Sequence, residues 1–447
     1  MPFAVTWSIL NTVMKAGKSV QRKKHRKGEK TMGLTERRKQ VLDRMEEHSI
    51  LVLYSGIEQH VSADEYAPFE ANRNFFYLTG LRRDNMALLI DKALEEPKIT
   101  LYIEEPKPDA ERWYGRKVTK EEAQETAEFE KAGQVHYIDS LESTLDRIMT
   151  REDVETVYFD TYRHQAQDLE SYNLKKAREF AAAYPGIRVK NAFPLIAELR
   201  MQKDEDEIAR IREAIRLTDN GLQQVMRTLQ PGSKEYQAQA EFEYSIFHQG
   251  ADGPAFPTIS GSGKNGTMLH YDTNRDTCED GSLLLLDLGA RYQGYNADIT
   301  RTYPVNGKFS ERQRQVYEIV LSANRRIAAE AKPGMTTGDL NKICKKVLAE
   351  GCIRLGLIDK EEDIGKYYMH GVSHHLGIDV HDVTVDANKK LRPGAVISDE
   401  PGLYIDEWEI GIRIEDDLLI TETGCEVMSE AIIRDPDEIE AFMAGKQ

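Results

Sequence analysis

Asp287 follows four leucines, Leu283 to Leu286, and precedes Leu288. An ionised carboxylate among such residues is costly unless it is paired, hydrogen-bonded or bound to a metal. Taken alone it fits equally well as a strand-end aspartate that turns the chain at Gly289. Asp298, further along the same segment, shifts the balance. With a hairpin turn centred near Arg291 and Tyr292, Asp287 lies opposite Asn296. Asp298 is then its diagonal neighbour on the same face, roughly 7–8 Å away at the backbone. Two carboxylates so placed can converge on metal ions; without cations they repel and one tends to protonate.

His370, His374, His375 and His381 bring four of the 11 histidines into one short segment. His370 and His374 have the spacing of paired helical zinc ligands. Gly371-Val372-Ser373 between them is poor helix material, which rejects that reading. Any one of these histidines also fits a hydrogen-bonded core position, whereas the cluster points to a site. In Asp399-Glu400-Pro401, the proline holds Glu400 in an extended conformation. Arg413 and Glu415 alternate with Ile412 and Ile414, so the two charges share one strand face. As an isolated pair they would also fit a surface charge ladder. Gly261-Ser-Gly263-Lys-Asn-Gly266 has the form GxGxxG. The following Thr-Met-Leu-His-Tyr reads as a strand, not the helix that dinucleotide binding needs.

These groups must be positioned by a second structural unit. From about 34 to 195, short apolar runs (50–54, 86–90, 99–103, 157–159) alternate with helical segments (35–48, 119–132, 140–149, 165–184), the pattern of an α/β domain. The proline-containing stretch 191–198 breaks that pattern and places a boundary near 195. A helix over 204–228 opens the second unit. Ser233 is the expected N-cap of the next helix. Residues 283–304 read as a hairpin. Ser310 with Gln313 forms a capping box before a helix over 311–331, and another helix covers about 338–355. The last 90 residues read as strand segments separated by Gly and Pro turns.

The chain's 447 residues suggest two or three domains at roughly 100–200 residues each. With 40% hydrophobic and 30% charged residues, it has the composition of an ordinary soluble globular protein. The net charge is −16, and residues 1–32 hold a basic run, so the body is more acidic than the whole. Such a body repels nucleic acid. No apolar run is long enough for a transmembrane helix. Cys278, Cys344, Cys352 and Cys425 lack paired spacing, which excludes a thiolate zinc site and a disulfide scaffold; a reducing, cytoplasmic compartment fits. Residues 1–32 read as a disordered basic tail, a tether to an acidic surface, or sequence upstream of a start at Met32.

In order along the chain, LLLDLGARYQGYNADITRTYPVNGKF, HGVSHHLGIDVHD, DEPGLYI and GIRIEDD resemble the motifs of the Xaa-Pro aminopeptidases (aminopeptidase P). These belong to the wider prolidase and methionine aminopeptidase family with the pita-bread fold. The resemblance covers about residues 34–445. Asn74 to Gly80 resembles the creatinase-type N-domain. It implies an α/β creatinase-like N-terminal domain over 33–195 and an α+β pita-bread catalytic domain over 196–447.

The resemblance further implies two divalent metal ions held by Asp287, Asp298, His374, Glu400 and Glu415, with Asp298 and Glu415 bridging. Four carboxylates and a neutral imidazole match two divalent cations; oxygen-rich ligation suits Mn²⁺, with Co²⁺, Fe²⁺ or Zn²⁺ compatible. A metal-bridging hydroxide would attack the bond between an N-terminal residue and a following proline. Glu400 would shuttle the proton, His381 would stabilise the tetrahedral oxygen and His270 would contact substrate. His370, Tyr404 and Arg413 would line or support the site, while His375 is read as structural. Trp113 resembles a residue that reaches a neighbouring subunit's site, which implies a homodimer or homotetramer. In the loop 383–392, Lys389, Lys390 or Arg392 would substitute for a substrate-binding arginine of relatives. The nearest rival is a prolidase restricted to Xaa-Pro dipeptides. A methionine aminopeptidase is disfavoured by the N-domain, and a non-catalytic binding module by the complete ligand set.

Overall fold

The computed structural model describes residues 33–151, 153–386 and 389–445. The basic extension 1–32 lies outside the described residues. The first half is built on β1 (Ser49–Tyr54), β2 (Ala87–Asp91), β3 (Lys98–Ile103), β4 (Val135–Tyr137), β5 (Thr156–Phe159) and β6 (Arg188–Asn191). They form one sheet in the order β4-β3-β2-β1-β5-β6. The β1–β2 and β2–β3 pairs are antiparallel and the others parallel. Every residue of β1 and β2 is buried, because helices cover both faces. That is why these strands read as continuous apolar runs and not as alternating ones.

The helices of this half are α1 (Leu34–Arg44), α2 (Arg73–Thr79), α3 (Pro108–Tyr114), α4 (Lys120–Thr126), α5 (Leu141–Met149), α6 (Tyr172–Ala183) and α7 (Phe193–Arg200). Leu141, Leu145 and Ile148 of α5 and Ala177 and Phe180 of α6 pack on one sheet face with Val52, Leu89 and Phe159. Val41 of α1, Phe75 and Tyr77 of α2 and Ile196 of α7 join the core on the other. Helices α1, α4 and α6 are shorter than the sequence pattern suggests. A capping box of Thr119 and Glu122 starts α4, and Ser171 starts α6 by accepting from the Leu174 amide. The stretch 191–198, read as a break, holds most of α7. Pro194 stands in its first turn, where a missing N–H costs no hydrogen bond.

The second half contains α8 (Glu205–Thr228), α9 (Glu235–His248), α10 (Glu311–Glu330), α11 (Thr337–Arg354) and α12 (Pro436–Ala444). Ser310 and Gln313 form the expected capping box. The expected cap at Ser233 is corrected: Lys234 is the N-cap of α9, and Ser233 Oγ accepts from the Gln230 amide instead. The sequence pattern also missed α12. The strands are β7 (Gly253–Pro254), β8 (Ile259–Ser262), β9 (Leu283–Leu288), β10 (Ala290–Tyr292), β11 (Tyr295–Asn296), β12 (Ile299–Pro304), β13 (Val396–Asp399), β14 (Gly402–Ile405), β15 (Ile410–Arg413), β16 (Asp416–Ile420) and β17 (Cys425–Val427). They form small sheets: β8-β9-β12, β11-β10-β7, β13-β16-β17 and β14-β15. Helices α8 and α9 pack together and against β10 and β8, and α10 packs on α11 and β15.

The hairpin register differs from the sequence reading. Tyr292 pairs with Tyr295 and Asp287 with Thr300, so the turn is Gln293-Gly294, not Arg291-Tyr292. Gln293 (φ 48°) and Gly294 (φ 83°) both take left-handed backbone, as a tight two-residue hairpin turn requires. Asp298 remains the diagonal neighbour of Asp287, now across from Thr300 and not Asn296. The segment 267–271, read as a strand, follows a 3₁₀ turn at Gly263–Thr267 and is irregular. The GxGxxG glycines serve packing there. A Cβ on Gly411 of β15 would fall 1.8 Å from the Gly266 carbonyl oxygen.

The hairpin tip docks on the first half. Phe76 of α2 covers Gly294, and its ring centroid lies 6.1 Å from that of Tyr295. Arg37 pairs with Asp204 (2.5 Å) and Glu207 (3.2 Å) at the start of α8.

Between Asp287 and Asp298 the two hairpin arms touch. A Cβ on Gly289 would sit 1.8 Å from the Ala297 carbonyl oxygen. Gly289→Ala is expected to cost about 3 kcal/mol by forcing the arms apart. Gly186→Ala, with nothing within 4 Å of its Cβ, should stay within about 0.5 kcal/mol of the parent. Urea denaturation of the two variants checks the contrast, and equal midpoints would contradict it.

Candidate metal centre

Five separate elements deliver the site. Strand β9 supplies Asp287, and the hairpin's return supplies Asp298 just before β12. The loop before β13 supplies His374. The β13–β14 turn supplies Glu400, and Glu415 follows β15. Asp298 and Glu415 are 4% and 2% exposed, which excludes a surface charge ladder for Glu415. Ligand atoms of Asp298, His374 and Glu415 all lie within 4.8 Å of one another. His374 Nε2 is 3.4 Å from Asp298 Oδ2 and 3.4 Å from Glu400 Oε1. His374 Nδ1 faces the His375 carbonyl at 3.0 Å. Donation there leaves Nε2 as the atom presented to the cluster.

Arg413 organises the back of the site and is itself buried. Its Nη2 donates to Asp287 Oδ2 (2.6 Å), its Nη1 to the Tyr404 hydroxyl (2.8 Å) and its Nε to Thr300 Oγ1 (3.0 Å). Thr300 Oγ1 in turn donates to Glu415 Oε2 at 2.6 Å. One guanidinium thus fixes Asp287 directly and Glu415 through a hydroxyl. The Tyr404 hydroxyl lies 2.8 Å from His370 Nε2, while His370 Nδ1 faces the Gly371 carbonyl at 2.7 Å. This is the pattern of a neutral imidazole that donates from Nδ1 and accepts at Nε2. A Cβ on Gly402 would clash with the Tyr404 ring, so the glycine of DEPGLYI makes room for that tyrosine.

The electrostatics follow from crowding. Burial, then Asp287, push the Asp298 carboxyl up to about 6. Burial and Asp298 push Glu400 up to about 7. Glu415 is held well above the usual range by burial and by Asp298, Glu400 and Asp287. Burial opposes charge on His374, but Asp298 and Glu400 outweigh it and raise it to about 9. Burial lowers His370 and His381 to about 4. Asp287 Oδ1 is buried with no hydrogen-bond partner, on the carboxylate whose other oxygen Arg413 holds. An orphaned carboxylate oxygen beside three converging ligands fits a divalent cation, and oxygen with one imidazole suits a hard or borderline metal.

All five side chains line one cavity of about 710 Å³. His270, His370, His381 and Arg413 line it as well. The His381 ring centroid lies 4.2 Å from that of His374. His270 is exposed at the rim. His375 points elsewhere, and its backbone bridges to Ile397. Trp113 is 84% exposed and does not line the cavity within this chain. Lys389 and Arg392 both face Glu198, at 2.6 and 3.5 Å, so neither reaches into the cavity. Residues 387 and 388 of that loop lie outside the described residues. Sequence reasoning missed Thr300, although its place two residues after Asp298 put it on the same strand face. It also missed the apolar wall of Phe256, Pro257, Ile259, Leu269 and Val380. No periodic signal marks those residues, because they come from three separate places, the stretch 256–259 leading into β8, Leu269 and Val380.

Residues 209–422 match metallopeptidase family M24, and residues 34–158 match the N-terminal domain of aminopeptidase P. The chain is 33% identical over 434 residues to the Xaa-Pro aminopeptidase of Escherichia coli K12, covering 92% of this chain and 97% of that protein. A Bacillus anthracis structure solved as a candidate aminopeptidase P superposes with a TM-score of 0.90 at 41% identity, covering 94% of this chain and 99% of that one. Escherichia coli aminopeptidase P with the inhibitor Pro-Leu gives 0.82 at 31% identity, with coverage of 94% and 99%. The chain therefore belongs to the aminopeptidase P group of metallopeptidase family M24, with the aminopeptidase P N-terminal domain followed by a pita-bread catalytic domain.

Proposed function

We propose that this metallo-aminopeptidase removes the N-terminal residue from peptides with proline second. The observation that carries the reading is the convergence of Asp287, Asp298, His374, Glu400 and Glu415 on one cavity that Phe256, Pro257, Ile259, Leu269 and Val380 also line. These five would hold two divalent ions, with manganese the best match to the donor set. When bound, such ions supply a nucleophilic water and polarise the scissile carbonyl. We place the domain boundary near residue 200, at the end of α7, since the expected boundary at 195 falls inside that helix and α7 packs with the first half.

The chain's own residues do the rest. Glu400 would take a proton from the nucleophilic water and pass it to the leaving proline nitrogen. His381, lowered to about 4, is neutral at pH 7 and can donate an N–H to the tetrahedral oxygen. His270 at the rim would contact the substrate near proline. His370, Tyr404 and Arg413 keep the ligands in place. Proline's nitrogen carries no hydrogen, so a site that grips the carbonyl and seats the ring against Phe256, Ile259 and Leu269 needs no backbone donor there.

The exposure of Trp113 (84%) beside Tyr114 (64%) supports a homodimer or homotetramer in which that indole contacts a neighbour. All four cysteines are free, which supports a reducing, cytoplasmic setting. Among the described residues, no helix is long and apolar enough to cross a membrane. A prolidase restricted to dipeptides is the alternative that substrate length decides.

With Mn²⁺, Arg-Pro-Pro should lose its N-terminal arginine, chelation should stop this and added Mn²⁺ should restore it. Cleavage of Gly-Pro alone would assign the prolidase activity instead. Glu415→Ala should lower kcat/KM for the tripeptide by about 100-fold or more, together with metal content.

The pH dependence has a definite sign. In the metal-free protein, His374 is raised from 6.5 to about 9 and Glu400 to about 7. Between these limits the folded state binds more protons than the unfolded one, so its stability falls as pH rises from 6.5 to 9. His370, His375 and His381, lowered to about 4, act in the opposite sense only below 6.5. The stabilisation gained from Mn²⁺, read as the difference in melting temperature from chelated protein, should grow across this window. A difference that shrinks would contradict the assignment.

A further inference from the structure

His381 sits at the end of a loop fastened on two sides. On one side, Asn296 of β11 donates from Nδ2 to the carbonyls of Gly377 (3.1 Å) and Ile378 (2.8 Å). On the other, the neighbouring Asp382 is locked by cations. Its Oδ1 accepts from Arg200 Nη2 at 2.5 Å and its Oδ2 from Lys203 Nζ at 2.9 Å. The side chains of Arg200, Lys203 and Asp382 are 2%, 1% and 1% exposed. The Asp382 amide donates to the His375 carbonyl at 2.7 Å, closing the loop. The closure is tight enough that a Cβ on Gly377 would fall 2.3 Å from Asp382 Oδ2.

Arg200 does more than neutralise. It ends α7, and its Nη1 donates to Asn74 Oδ1 of α2 at 2.9 Å. Its Nη2 also reaches Asp379 Oδ2 at 2.7 Å, inside the same loop. Asn74 is held in turn by Asp160, to which its Nδ2 donates at 2.9 Å. A continuous polar chain therefore runs from the first half of the molecule to the residue next to His381. A buried ion cluster of this kind is a poor source of stability, since apolar packing serves as well or better. Its fixed fork geometry instead specifies position, and lysine cannot reproduce that geometry.

We propose that Arg200 is a positioning residue that sets His381 against His374 through Asp382, and that Asn74 ties this setting to the N-terminal domain. The proposal rests on the reading of His381 as a group acting at the scissile carbonyl.

A double-mutant cycle on the Mn²⁺-loaded full chain tests it, with Arg-Pro-Pro as substrate. Arg200→Lys should lower kcat about tenfold or more, with KM within about twofold and metal content unchanged. In the His381→Ala background the same substitution should change kcat less than about twofold. An equal loss in both backgrounds would overturn the proposal. Full activity in His381→Ala alone would overturn it differently, by removing the role of His381 itself. Should Arg200→Lys fail to fold, Asn74→Ala removes the Arg200–Asn74 bond and leaves Arg73 Nε on Asp379 Oδ1 (3.0 Å) in place. It should lower kcat about threefold with the same dependence on His381. An unchanged kcat in Asn74→Ala, or a loss independent of His381, would refute the coupling.

Discussion

Asp287, Asp298, Glu400 and Glu415 bring four largely buried carboxylates to one cavity, and the surrounding fold is arranged around that repulsion. Without cations the cost appears as retained protons: Asp298, Glu400 and Glu415 are all raised. His374 keeps a proton where cations would otherwise sit. Divalent cations would remove the conflict. Arg413 could neutralise one carboxylate only. Its three nitrogens donate to Asp287, Thr300 and Tyr404, and so it holds the array together without filling it.

The same requirement explains the next layer of contacts. Each ligand comes from a different strand or turn, so none is placed by its own element alone. Thr300 couples Glu415 to Arg413, and Ser398 donates to Glu400 Oε1 at 3.2 Å. The Asp298 amide donates to Asp417 Oδ2 at 3.3 Å. Asp416 behind it is matched by Arg301 at 2.8 Å and Arg434 at 3.4 Å. Among Asp399, Asp416 and Asp417, only Asp416 is matched by cations; burial and neighbouring carboxylates hold Asp399 and Asp417 well above the usual carboxylate range. Glycines at 289, 402 and 411 allow the close approaches that this layering needs.

The chemistry was legible in the sequence because metal ligands must be specific residue types. Asp287, Asp298, His374, Glu400 and Glu415 all stand out as costly or clustered. Their convergence was less legible, since spacing along one chain says nothing about distance between segments. The hairpin illustrates the difference. The diagonal relation of Asp287 and Asp298 could be anticipated, but its register could not, because the turn is set by left-handed backbone at Gln293-Gly294. The two α/β strands buried on both faces were equally plain, while α12 and the helix containing Pro194 were hidden by prolines that sit harmlessly in a first turn. Thr300, Arg200 and Asp382 were invisible for another reason. They act on residues that act, and a common threonine or ion pair carries no mark of that.

The cavity's mixed lining follows from what a proline peptide offers. A substrate with an ordinary second residue presents a carbonyl and an N–H, and an enzyme can hold it by both. Proline offers only the carbonyl and a rigid apolar ring. A site for it gains nothing from a backbone acceptor opposite the missing hydrogen, and burying an unpaired acceptor there would carry a penalty. Here Asp287, Asp298, His374, Glu400 and Glu415 share one cavity with the apolar side chains of Phe256, Pro257, Ile259, Leu269 and Val380. Under the proposed function, the shape of the apolar groups would discriminate proline from other residues, and the charge of the carboxylates and His374 would set the rate.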